Sequence, residues 1–293
     1  MQATLIVAAR DLCGEGPLWE PRAGALYWLD LYRPTLHRLE AASGRHVSSR
    51  VAGAELLACL LRRRDDPHPD LVTRDAVGGL APAGAGSLVF RPQRCIVQDD
   101  AREAVNDGKT HPSGTVWLGT ADTKEESALG RLLAFPPDGR QVLVDKGFVV
   151  SNGPAFAPDG SAAYFSDSAG RRVLRYPLTE EGLPAGPAEI FAAFTVDDGH
   201  PDGLTVDAEG FLWVAMWDGW GVRRLAPDGR PAGWVALPVP RVTACAFGGP
   251  DLSTLYVTTA TFGLDQGALD AGAGGLFALA PGVRGLTEPF AAI

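Results

Sequence analysis

Thr115-Val116-Trp117-Leu118-Gly119-Thr120 decides the fold, because segments of this kind return along the chain at a nearly fixed interval. It is an aromatic and β-branched run of strand length, as are Ala25-Leu26-Tyr27-Trp28-Leu29-Asp30, Phe211-Leu212-Trp213-Val214-Ala215 and Thr254-Leu255-Tyr256-Val257-Thr258. With Tyr27, Val72, Trp117, Tyr164, Trp213 and Tyr256 as anchors, successive spacings run from 43 to 49 residues. A period of about 40–50 residues made of short strands marks a β-propeller, whose four-stranded blades pack around a central channel. Six such units fit the chain, so the expected fold is an all-β, six-bladed propeller spanning 1–293 as a single domain. A sandwich or barrel is also all-β, but neither requires regular spacing from end to end.

The segments between the anchors agree. Pro137-Asp138-Gly139, Pro158-Asp159-Gly160, Asp207-Ala208-Glu209-Gly210 and Pro227-Asp228-Gly229 place an acidic residue and a glycine where a tight turn needs positive φ. No stretch carries sustained helical periodicity. Nearly half of the residues are apolar, enough for cores between blades, and the 36 glycines and 23 prolines suit a fold with many turns.

Charge and special residues narrow the function. A net charge of −9 argues against nucleic acid or an anionic membrane as partner. No charged start followed by a long apolar segment is present, so a cytoplasmic protein is expected. The four cysteines lack a C-x-x-C spacing and read as free thiols, and the five histidines form no H-E-x-x-H pattern.

One recurring polar position stands out. Glu15, Asn106, Asn152 and Asp202 stand 11 or 12 residues before Tyr27, Trp117, Tyr164 and Trp213 respectively. One structural position in four similar units therefore carries an oxygen ligand, and in a closed propeller these positions converge. Glu15 and Asp202 with the amide oxygen of Asn152 make a hard site whose charge balances a divalent cation. Such an ion polarises a carbonyl while a nearby carboxylate takes a proton, which suits hydrolysis of an ester-like bond. Asn and Asp before Gly are also ordinary turn formers, and the common offset is what sets these four apart.

At these residues the chain resembles the gluconolactonase/regucalcin family of sugar lactonases. The resemblance rests on Gly14-Glu15-Gly16-Pro17-Leu18-Trp19, Asn106-Asp107-Gly108-Lys109 followed by Pro112 to Thr120, Ser151-Asn152-Gly153, Pro201-Asp202-Gly203 and Phe247-Gly248-Gly249-Pro250-Asp251-Leu252, in that order and spacing. It implies a six-bladed propeller with one divalent metal (Ca²⁺, Mg²⁺, Mn²⁺, Zn²⁺ or Fe²⁺) held by Glu15, Asn152 and Asp202. It places Asn106 in the substrate pocket and makes Asp202 the general base. The implied reaction opens a sugar 1,4- or 1,5-lactone to the aldonic acid, with no covalent nucleophile. Ser151 and Ser166 lack a G-x-S-x-G elbow, which agrees.

The chain also departs from the family. Where the family carries a substrate-contacting Arg, two residues before Asn106, stands Ala104, while Arg102 lies at a different offset. The family's Glu after Gly119-Thr120 falls on Lys124 by direct counting, and on Glu125 or Glu126 with a small gap; Glu125 is taken into the substrate set. Arg62 to Asp100, with its Gly/Ala-rich turn at Ala83 to Gly86, matches least. His200 reads as a rim or turn residue, and Trp217 and Trp220 as either a sugar-facing wall or packing between units. Hydrolysis of other lactones or of phosphoesters, and a non-enzymatic calcium-binding propeller, are the alternatives. An open metal position would separate an enzyme from an enclosed structural ion.

Overall fold

The computed structural model describes residues 1–84 and 86–293; of the Gly/Ala-rich turn at Ala83 to Gly86, Ala85 lies outside the described residues. The fold is all-β and propeller-like. Its helical segments among the described residues are the single turns Val196–Asp198 and Gln266–Asp270. No helix among the described residues is long and apolar enough to cross a membrane.

Each of the six anchors falls in a strand that pairs antiparallel with a preceding inner strand. The inner strands are Gly14–Glu20, Leu57–Leu61, Glu103–Thr110, Ser151–Phe156, His200–Val206 and Val242–Gly248. Each lies against the next and the last against the first, so they close a ring. Their burial follows from this position: Val242–Gly248 is buried at every residue, because neighbouring strands cover it on both sides.

The sequence reading expects six separate sheets, and the structure differs. Four sheets have four strands, and the fifth has eight. In the eight-stranded sheet, strand His46–Ala52 runs parallel to Ser87–Cys95 through Val51 opposite Leu88 and Ala52 opposite Val89. The cause is the nine-residue hairpin arms Ala76–Gly84 and Ser87–Cys95, long enough for an outer strand to reach its neighbour's free edge. The chain termini close another sheet, in which Thr4–Val7 pairs with Leu276–Leu279 beside Thr254–Thr259.

Apolar side chains fill the spaces between sheets. Trp117 and Trp213 are fully buried, and each satisfies its indole N–H: Trp117 on the Gly182 carbonyl at 2.7 Å, Trp213 on Asp207 at 2.9 Å. The expected turns hold Gly139, Gly160, Gly210 and Gly229 at φ between 73° and 84°, where a side chain would strain the backbone.

Candidate functional site

The shared offset of the four polar residues has a local cause. The pairing register slips between Glu15 and Leu18, between Val105 and Asp107, between Asn152 and Ala155, and between Pro201 and Leu204. Glu15, Asn106, Asn152 and Asp202 each stand at such a β-bulge, which bends the strand and re-aims the side chain. The other two inner strands slip at Ala58 and at Thr243. Ala58 has no polar group to offer, and the Thr243 hydroxyl donates to the Gly14 carbonyl.

All four residues line one cavity of about 340 Å³, and Glu125 joins them. Asn106 donates its amide N–H groups to the Ser151 carbonyl and to Asn152 Oδ1, both at 2.9 Å. Asn152 Nδ2 in turn donates to Ser168 Oγ at 3.0 Å. This chain of bonds fixes both amides, and it turns the Asn152 oxygen toward Asn106.

The carboxylates lack such partners. Glu15 is 6% exposed and Asp202 7%, and among the described residues neither forms an ion pair. One Glu15 oxygen accepts from the Gly16 amide at 3.1 Å. Burial, with the charges of Asp202 and Asp107, pushes Glu15 well above the usual carboxylate range. Asp202 is raised likewise, first by burial and then by Asp107. Two buried carboxyl groups and an amide oxygen, with no ion pair among the described residues and only Lys109 pulling on Glu15, have the donor chemistry of a divalent-cation site. Among the described residues no group of three or more His, Cys, Asp and Glu side chains is placed to hold a metal ion, so a site here would draw on the Asn152 amide oxygen as well.

Asp107, part of the Asn106-Asp107-Gly108-Lys109 motif, does not line the cavity but lies near enough for its charge to act on Glu15 and Asp202. Its carboxylate accepts from the Gly108 amide at 2.7 Å and the Gly153 amide at 2.8 Å, tying two inner strands together. Burial raises it to about 6, against the opposing pull of Lys109 and these amides. Only an Asp followed by Gly in the sequence could have hinted at this role.

Glu125, rather than Glu126, reaches the cavity, from a left-handed backbone at φ 56°. Asp122 holds that loop. Its buried carboxylate accepts from the amides of Lys124 at 3.2 Å, Glu126 at 3.3 Å and Ser127 at 2.9 Å, with Arg102 3.5 Å away. Arg102 is thus engaged in the loop, and it does not line the cavity. Ala104 is buried at 3% exposure opposite Ala121 and does not line it either. No Lys or Arg does.

Of the two tryptophans, Trp217 faces the cavity with Tyr32 and Phe262, whereas Trp220 is 53% exposed and lines a separate depression. The serines are spent on backbone: Ser151 donates to the Thr120 carbonyl at 2.7 Å and Ser166 to that of Asp202 at 2.8 Å. Cys13, also at the cavity, stays a neutral thiol because burial and the nearby carboxylates raise it.

Residues 13–261 match the family described as the SMP-30/Gluconolactonase/LRE-like region. A pentonolactonase of Haloferax volcanii is 34% identical over 264 residues, 89% of this chain and 86% of that protein. A 6-deoxy-6-sulfogluconolactonase of Pseudomonas putida is 34% identical over 268 residues, 87% of this chain and 85% of that protein. Among solved structures, a calcium-binding regucalcin of Agrobacterium tumefaciens superposes with a TM-score of 0.89 at 31% identity, covering 99% of this chain and 97% of its own. The chain belongs to the SMP-30/gluconolactonase family.

Proposed function

We propose that this protein hydrolyses a sugar 1,4- or 1,5-lactone to the aldonic acid with the help of one divalent cation. We read the eight-stranded sheet as two blades joined at an edge, which gives six blades around one channel. The carrying observation is that the bulges of four inner strands deliver Glu15, Asn106, Asn152 and Asp202 to one cavity, where the buried Glu15 and Asp202 form no ion pair among the described residues. The names of relatives that share most of the chain's length supply the substrate class.

Glu15, Asn152 and Asp202 would hold the cation. When bound, it polarises the lactone carbonyl and stabilises the negative charge that develops on its oxygen. Asp202 takes a proton from a water as the water oxygen bonds to the carbonyl carbon, and returns a proton to the ring oxygen as the ester bond breaks. The Ser166 hydroxyl, bonded to the Asp202 carbonyl, holds the backbone that carries this base. Asn106 and Glu125 face the sugar hydroxyls, and Tyr32, Trp217 and Phe262 give the cavity an apolar wall that excludes water. A cavity of about 340 Å³ beside the carboxylates favours an open ion position over an enclosed structural one.

The test is a panel of aldono-1,4- and 1,5-lactones offered to metal-stripped protein resupplied with single cations, with spontaneous hydrolysis subtracted. Cation-dependent turnover of at least one lactone is expected. Absence of turnover with every cation on every lactone overturns the reading.

A further inference from the structure

The cavity has lost its family arginine, yet one basic side chain remains in it. His200 opens strand His200–Val206, two residues before Asp202 and paired with Trp217 across the sheet. Both His200 and Trp217 line the cavity. The preceding residue must be glycine. Gly199 sits at φ 87°, and a Cβ there would fall 2.5 Å from the Trp217 carbonyl and 2.7 Å from the Gly219 amide. This close approach of backbones fixes where the imidazole leaves the strand.

A second contact fixes its orientation. His200 Nδ1 lies 3.0 Å from the Ser168 carbonyl, and a carbonyl only accepts, so Nδ1 carries the proton. In the neutral ring Nε2 is then a lone-pair acceptor. It has no protein partner, and it is absent from the buried unpaired atoms among the described residues. Ser168 also receives the Asn152 amide on its hydroxyl, so one residue orients both Asn152 and His200. Both side-chain N–H groups of Asn106 and one of Asn152 are already used inside the protein. Three carboxylates, Glu15, Glu125 and Asp202, share the cavity wall with it.

We propose that His200 is a specificity-determining residue that accepts a hydrogen bond at Nε2 from a ring or side-chain hydroxyl of the lactone. The proposal rests on the lactone reading above and goes beyond it by naming the contact that ranks one polyhydroxy lactone over another. A polar group built to receive one hydroxyl discriminates against the analogue lacking it, because the acceptor is then left unpaired.

Two substitutions separate contact from scaffold. His200→Asn keeps a donor for the Ser168 carbonyl but removes Nε2, whereas His200→Gln puts a polar atom near the position of Nε2. Over a panel of lactone epimers and deoxylactones, His200→Asn should raise KM about tenfold for the preferred lactone, more than it lowers kcat. It should leave the analogue lacking the contacted hydroxyl little changed, and His200→Gln should recover part of the loss. An equal fall for every lactone would make His200 merely structural and overturn the proposal. A second measurement does not depend on turnover: ¹⁵N NMR of the imidazole, titrated with an unreactive polyhydroxylated lactam. The Nε2 resonance should shift on binding, and an unmoved resonance with lactam bound overturns the contact. Bound lactam together with no hydrolysis of any lactone would instead overturn the hydrolase reading, leaving the contact decided by the ring resonance.

Discussion

At the start of the inner strands Glu15 and Asp202 are buried and, among the described residues, form no ion pair, whereas at the other end Glu20 and Asp207 are each held by arginine. Glu20, 2% exposed, receives Arg22 at 2.9 Å and Arg62 at 3.0 Å. Burial opposes its ionisation, but the two guanidinium groups win and bring it down to about 2. The C-terminal segment crosses this end: Glu288 accepts from the Thr110 amide, Arg62 donates to the Glu288 carbonyl, and the guanidinium of Arg62 lies 4.3 Å from the Phe290 ring centre. A buried charge that lacks its partner destabilises the fold, so Glu15 and Asp202, buried at the cavity without an ion pair, are candidates for function rather than for scaffold. On the proposed function, the contrast separates the chemical end of the ring from the scaffold end.

The largest expected effect comes from attacking the bare end. Asp202→Asn keeps the size and one oxygen but removes a charge and the capacity to take a proton. If Asp202 were a ligand only, excess cation would restore turnover by mass action. As the general base as well, it should leave turnover down by roughly 10²–10⁴-fold even at saturating cation. Glu15→Gln is the control, since its loss should be mainly of cation affinity and recoverable. Cation binding and turnover measured separately on both variants decide it, and full recovery of Asp202→Asn would remove the base assignment.

How much of this contrast the sequence carried depends on whether a feature repeats. The bare end was legible because a bulge at a fixed distance from an aromatic anchor writes the same offset four times, and the structure brings Glu15, Asn106, Asn152 and Asp202 to one cavity. The paired end was not, since Arg62, Glu20 and Glu288 are joined over separations of 42 and 226 residues and belong to no repeat. The same holds for the eight-stranded sheet. Its junction is two parallel residue pairs between outer edges, which local strand propensity does not encode. Asp122 was missed because it acts on backbone amides, and Ser168 because it meets His200 through its own backbone carbonyl; neither contact carries a residue-type signature.

The next effect falls on stability alone. Arg62→Met keeps much of the apolar stem over Phe290 and leaves Glu20 with Arg22 as its one guanidinium. Breaking a buried pair in this way should cost about 3 kcal/mol in urea unfolding, while turnover per folded molecule is retained. Lost turnover at unchanged stability would erase the distinction between the two ends. The pH dependence has a definite sign. Glu20 binds its proton more weakly in the folded state, so its contribution is present above the usual carboxylate range and is lost as pH falls from about 4.5 toward about 2. In Arg62→Met that acid-side loss should shrink.

The smallest effect tests whether the scaffold reaches into the cavity. Asp122 does not line the cavity; it gathers three backbone amides and so holds Glu125 in a left-handed conformation that a free loop would leave. Burial alone would raise Asp122, but these amides and Arg102 bring it below the usual carboxylate range. Its hold on the loop is therefore present at neutral pH and lost as pH falls through that lowered value. Asp122→Asn removes the charge and leaves a single acceptor oxygen. It should raise KM about tenfold or less with a smaller change in kcat, the pattern of a loosened binding group. Glu125→Gln should do the same, and the double variant should be little worse than either single one, because both act through one contact. Additive losses in that cycle would mean that Asp122 supports the strand rather than Glu125, and the boundary between the two ends would then lie deeper than the cavity wall.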